Sequence, residues 1–266
     1  AYNLIYGFTK SSFLFNGNHE SSQIDFNNYL KLRGYKFKSS SNEIGGYAIL
    51  KNKNTSIIMD IGNVPEKKFS SNFQSGPLSF EFIYQDKKLI SNSGYFQNPK
   101  HQLNNISRST AAHSTLILDN TSVTKFKKDK FGNYCVDNSY KLFNKKVFFD
   151  KNKWILSSAH DGYQKRYGLI HEREIKFNPI KNILEGKDKL IKKKNYKRTN
   201  FDIRFHLDPS TKVTKTQNGK IILIELDNSG WRFRCDGYLI DVETGLYFGK
   251  KNSFVENQNI FISGLT

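Results

Sequence analysis

The stretch that decides the fold is 211-TKVTKTQNGKIILIELDNSGWRFRCDGYLIDVETGLYFGKK-251. Asn218-Gly219 sits between two extended runs, the residue pair that a tight hairpin turn prefers because it tolerates positive φ. Asp227 to Gly230 turn the chain again, into WRFRC. Side chains alternate across a strand, so Trp231, Phe233 and Cys235 share one face and Arg232 and Arg234 the other. Asp236-Gly237 predicts a turn into YLIDVE, and Glu243-Thr244-Gly245 one into LYFGKK.

The same punctuation extends upstream. KKVFFD, the turn Asp150 to Lys153, and KWILSSA read as a hairpin, and STLILD and LSFEFIY read as strands. Helical signal is thin; the best candidate is Ser21 to Leu32. Asn63 to Gly76 reads as a long loop. Lys187 to Asn200, the most basic run, reads as a loop or exposed hairpin on a solvated surface. Many short strands with few helices predict an all-β fold, a large antiparallel β-sandwich.

Composition narrows the classes. The chain has 266 residues, 37% apolar and 14% aromatic, enough for a packed core. The net charge of +18 favours a polyanionic partner and does not bear on fold. The longest clean apolar stretch, Ile221 to Ile224, is far short of the roughly 20 residues that span a bilayer. The opening AYNLIYGFTKSS lacks the layout of a signal peptide and an initiator Met, which predicts a chain cut from a longer protein. Cys135 and Cys235 are far apart, with neither a zinc-knuckle spacing nor a disulfide framework. There is no GxSxG, Walker loop, GxGxxG or HExxH motif. No RNP, helix-turn-helix or zinc-finger pattern supports nucleic acid as the partner.

The six histidines are isolated in sequence. His19 and His101 read as surface residues. His171 alternates with Arg173, and Arg204 with His206, so each pair shares a strand face. A buried charge needs a partner, which leaves a solvated outer face or an anion-binding face as the two readings.

Further segments carry a resemblance. SGPLSFEFIYQDKKLISNSGYF (75–96) followed by RSTAAHSTLILDNTSV (108–123) is similar to the C-terminal domain of heparinase II/III-like proteins, with their Arg-x-Thr-x-x-His-Ser/Asn-Thr signature. SSFLFNG (11–17) and NTSIIMDIGNVP (54–65) resemble the segments leading into that domain. AHDGYQKRYGLIHEREIKF (159–177), LEGKD (184–188), FDIRFHLDPS (201–210) and SGWRFRCDG (229–237) resemble its later strands, in order.

The resemblance implies a single β-sandwich domain over 1–266, with 1–45 leading in from an N-terminal α/α toroid outside this chain. It implies lysis of an acidic polysaccharide by β-elimination: a carboxylate is neutralised, a base takes the neighbouring proton, and an acid protonates the leaving oxygen. Most of those groups would come from the toroid. A periplasmic or envelope location in bacteria is implied as well.

Carried over by residue, His113 matches the signature histidine, a zinc ligand in metal-bearing members. Asn92 stands where those members have Asp, and Gln74-Ser75-Gly76 where they have His-x-His. Neutral amides are poor zinc ligands, so no cofactor is expected. The same gap leaves Gln74 as a hydrogen-bond donor to the sugar carboxylate, with His113 as its catalytic companion. Arg108, His171, Arg173, Arg204 and His206 would bind the acidic glycan. The alternative is a non-catalytic glycan-binding or envelope scaffold module.

Overall fold

A computed structural model describes residues 13–15, 28–34, 41–216, 219–250 and 253–266. Nine strands form the large sheet: β1 (Glu43–Ile44), β2 (Tyr47–Lys51), β3 (Thr55–Asp60), β4 (Phe80–Tyr84), β5 (Lys87–Ser91), β6 (Leu116–Leu118), β13 (Asn200–Leu207), β17 (Ile240–Tyr247) and β18 (Val255–Leu265). A second sheet runs in the order β12 (Ile183–Lys192), β11 (Leu169–Asn178), β10 (Trp154–His160), β9 (Leu142–Phe149). A third is the meander β14 (Lys212–Thr216), β15 (Ile221–Leu226), β16 (Ser229–Phe233), and β7 (Phe126–Lys128) pairs β8 (Tyr134–Val136). All these strand pairings are antiparallel. The all-β sandwich is as the sequence predicts.

The core lies between the large sheet and the two smaller ones. On β13 the alternate residues Phe201, Ile203 and Phe205 enter it, with Leu207, against Leu156, Ile175, Ile222 and Ile224. A run of rings joins the sheets: Trp154 to Phe177 at 5.2 Å, Phe177 to Phe82 at 5.4 Å, and Phe82 to Trp231 at 5.2 Å. Burying each such side chain stabilises the fold by about 1.5–3 kcal/mol. On the other side of the large sheet, Phe13 and Phe15 cover Tyr47, Ile49, Ile58 and Ile83.

The alternation of WRFRC holds: Trp231, Phe233 and Cys235 pack on the core, while Arg232 and Arg234 are exposed. The turn at 150–153 forms; the one expected over Asp227 to Gly230 is confined to 227–228, with Asp227 at φ +47° and Ser229 and Gly230 already paired in β16. Asn218 lies outside the described residues, but β14 and β15 pair around it. Residues 28–32 are helical, and the rest of the candidate helix lies outside the described residues, as does His19.

Two expectations are corrected. Glu243-Thr244-Gly245 is not a turn; it runs inside β17, paired with Asn257 to Asn259. Glycine is needed there because the Asn259 amide would lie 2.3 Å from a Cβ at 245. The basic run is also more ordered than expected: Lys187 to Lys192 belong to β12 and pair with β11 in register. Among the described residues no helix is long and apolar enough to cross a membrane.

Candidate functional site

Three connections converge at the end of β5: the long loop reaching Gln74, the turn Asn92-Ser93-Gly94, and the segment from the helix Gln102–Arg108 through a 3₁₀ turn, Thr110–Ala112, to His113. Backbone bonds tie them together, Ser75 N–H to Arg108 O and Ser93 N–H to Ala112 O, both 2.9 Å. Gly94 takes φ +87°, and a Cβ on it would meet the Phe248 carbonyl carbon at 2.8 Å.

Gln74, Asn92, Arg108, His113 and His206 all lie in this knot, buried. Gln74 gives its side-chain amide hydrogens to Gly94 O at 2.9 Å and Ser107 O at 2.7 Å. That accounts for both of them, so it does not present a donor outward. His113 gives its Nδ1 hydrogen to Ser109 O at 2.8 Å, and burial pushes its pKa down to about 4. Gly76 lies against this ring, where a Cβ would come 2.5 Å from Cδ2. His206 donates from Nε2 to Ala111 O at 2.9 Å and accepts from the Ser93 hydroxyl on Nδ1 at 3.1 Å. Burial likewise pushes it down to about 4.

Arg108 is a clamp within the fold. Its guanidinium donates to the carbonyls of Phe73, Tyr134 and Ser70 at 2.9, 2.9 and 3.1 Å, and lies 4.1 Å from the Phe126 ring centre. His171 and Arg173 also point inward, fully buried, from β11. Arg173 grips Asp188 on β12 and donates to Ser114 O at 2.6 Å, reaching the knot from the second sheet. Arg204 shares with His206 the face of β13 turned away from Ile203 and Phe205, and is paired with Glu243 at 2.8 Å and Asp202 at 3.4 Å. Arg108, His171, Arg173 and His206 are thus buried and engaged within the fold, while Arg204 is partly exposed beside its two carboxylates.

Several residues escaped sequence reasoning. His160 is one. His171 gives its Nε2 hydrogen to Asp188 Oδ1 at 2.6 Å, because a carboxylate only accepts. Its Nδ1 then accepts from His160 Nε2 at 3.3 Å, and His160 Nδ1 accepts from Gly162 N–H at 3.1 Å. Burial holds both imidazoles in the neutral form this chain requires. Burial also resists ionisation of Asp188, but Arg173 and His171 outweigh it and keep its carboxyl well below the usual range.

Glu81 is another. It is fully buried and accepts from Leu14 N–H, Asn92 N–H and the Asn92 amide, with Lys88 at 3.8 Å. Burial raises its pKa despite these partners. The only sequence signal was a carboxylate in an otherwise apolar strand, FEFIY.

The donor set at the knot does not fit zinc. Asn92 Oδ1 accepts from Ser114 N–H, its amide nitrogen is turned to Glu81, and the Gln74 amide is spent on carbonyls. Zinc prefers imidazole, thiolate and carboxylate. Among the described residues no three His, Cys, Asp or Glu side chains group as metal ligands.

The family profile described as heparinase II/III-like, C-terminal matches residues 37–266. The chain belongs to this family.

Solved structures agree on the fold of this heparinase II/III-like C-terminal domain. Heparan sulfate lyase HepC from Pedobacter heparinus superposes with a TM-score of 0.72 at 15% identity, covering 96% of this chain and 41% of that one. A heparinase III superposes with a TM-score of 0.71 at 14% identity, covering 98% of this chain and 44% of that one. The chain thus spans less than half the length of these structures. None of the curated proteins matches it.

Proposed function

We propose that this heparinase II/III-like domain belongs to a polysaccharide lyase and contributes to binding, and to β-elimination cleavage, of an acidic polysaccharide. The observation that carries the reading is the family match over 37–266, seated on a chain of net charge +18. In this reading residues 1–266 are one domain, with 1–45 leading in from an N-terminal α/α toroid that supplies most of the reacting groups. It works without zinc.

The knot sets the domain's share of the task. Elimination needs neutraliser, base and acid within hydrogen-bond reach of one sugar. A buried Gln74 with both amide hydrogens engaged, and a buried neutral His113, favour a positioning role for the knot, which holds the loops that meet the glycan. The same geometry favours, as second reading, a domain that binds glycan without chemistry.

The test is ultraviolet absorbance of the unsaturated product when the full-length protein meets heparan sulfate and other uronic-acid polymers. A rise supports the lyase. Glycan binding with no product from any of them supports the binding module.

A further inference from the structure

The buried Arg108, Arg173, His171 and His206 leave open where exposed positive charge and apolar surface coincide. They do so on two neighbouring turns. One is the 3₁₀ turn Lys67–Phe69, where Phe69 is 70% exposed and Lys68 Nζ, paired with Glu66 at 3.1 Å, lies 4.8 Å from its ring centre. The other is the hairpin of β7 and β8, where Phe131 is 76% exposed at the tip and Lys130 Nζ lies 5.0 Å from its ring centre. Lys125, Lys127 and Lys128 are exposed on the same hairpin.

This rim is built rather than frayed. Arg108 bonds Ser70 O on one turn and Tyr134 O on the other, and Val136 N–H bonds Ser70 Oγ at 2.9 Å. Asp129 turns its carboxylate back into the tip, accepting from Phe131 N–H at 2.8 Å and Asn133 N–H at 2.9 Å. The hairpin's acidic residue is thereby used to hold Lys130 and Phe131 outward. Lys127 and Lys130 make no ion pair among the described residues.

We infer that this rim, Phe69 and Phe131 with Lys127, Lys128 and Lys130, is the surface on which the domain holds an anionic polysaccharide. The inference rests on the glycan-binding reading above and gives it a location. A sugar ring offers an apolar C–H face and, in an acidic glycan, charged groups at its edge. An exposed ring flanked by an ammonium matches both, where a purely cationic patch matches only the charge. The outer face of the second sheet is the contrasting surface. There Lys187 and Lys189 stand in register with Glu174 and Glu172, so acidic side chains are interspersed with the basic ones, and Glu174 pairs with Lys176 at 2.6 Å.

The test is equilibrium binding of a heparin oligosaccharide at fixed salt to the wild-type chain and three variants: Phe69→Ala/Phe131→Ala, Lys127→Glu/Lys130→Glu, and Lys187→Glu/Lys189→Glu. The last two change net charge equally. The rim variants are expected to bind at least tenfold more weakly, ~1.4 kcal/mol, with unchanged melting temperatures, and the second-sheet variant less than about threefold more weakly, with a melting temperature lowered by the Glu–Glu pairs it creates. Equal losses from the two charge variants would overturn the rim and leave the glycan reading standing, as would full binding by the double Phe variant. Tighter binding of duplex DNA than of heparin to the rim would overturn the occupant. No glycan binding by the wild-type chain would sink the functional reading itself.

Discussion

Arg173 and Asp188 face each other in register across β11 and β12 in a two-point ion pair, Nε to Oδ1 at 2.7 Å and Nη2 to Oδ2 at 3.0 Å. The remaining guanidinium nitrogen donates to Ser114 O and Leu78 O, in the segments beside the large sheet. One buried side chain thus joins the two layers of the sandwich.

Removing the carboxylate leaves that guanidinium buried and uncompensated. Asp188→Asn is expected to cost about 3–5 kcal/mol, the usual range for breaking one side of a buried pair. It would show as a lower denaturant midpoint. A change within about 0.5 kcal/mol would mean that the pair does not hold the layers together.

Stability is expected to fall as pH drops from about 6.5 toward 4. His113, His160, His171 and His206 all have pKa values lowered by burial, to about 4 for His113 and His206. Their contribution is complete above the unfolded value and is lost as the unfolded state takes up protons first. Asp60, raised by burial to about 7, and Glu81, also raised by burial, run the opposite way. Four imidazoles against two carboxyls leave a net loss of roughly 1–3 kcal/mol per pH unit. Melting temperatures across this window check it; a flat or rising trend on acidification would contradict the neutral histidine chain.

Gly76→Ala should destabilise by about 1–3 kcal/mol, since the new methyl must displace the His113 ring or the loop. The same contact makes His113→Ala a stability variant, costing about 2 kcal/mol. Denaturant titration of both measures it. If His113→Ala keeps full stability, the ring is not a packing element of the knot.

The strands were legible because alternation and turn residues are local. WRFRC gave both of its faces correctly, while Glu243-Thr244-Gly245 misled because the reason for Gly245 is an asparagine on the neighbouring strand. The candidate site was legible only in part. Same-face pairing of His171 with Arg173 was readable from spacing, but not which face. That depends on Asp188, brought opposite by the β11–β12 register. Arg108 gave less warning still, since its partners are backbone carbonyls, which have no sequence signature.

No stoichiometric zinc is expected on protein prepared without chelator, and EDTA should leave the melting temperature unchanged. The amides of Gln74 and Asn92 are committed to hydrogen bonds, leaving His113 too few companions for a closed four-ligand site. One tightly held zinc per chain by elemental analysis would overturn this.

The most direct test of the glycan reading is the affinity of the 266-residue chain for an unsulfated uronic-acid polysaccharide, measured against the neutral, carboxyl-reduced form of the same polymer across a salt series. The acidic form should bind at about 0.15 M salt, with affinity that weakens steeply as salt rises, and the reduced form should bind little. Equal affinity for the two forms, or none for either, would contradict it.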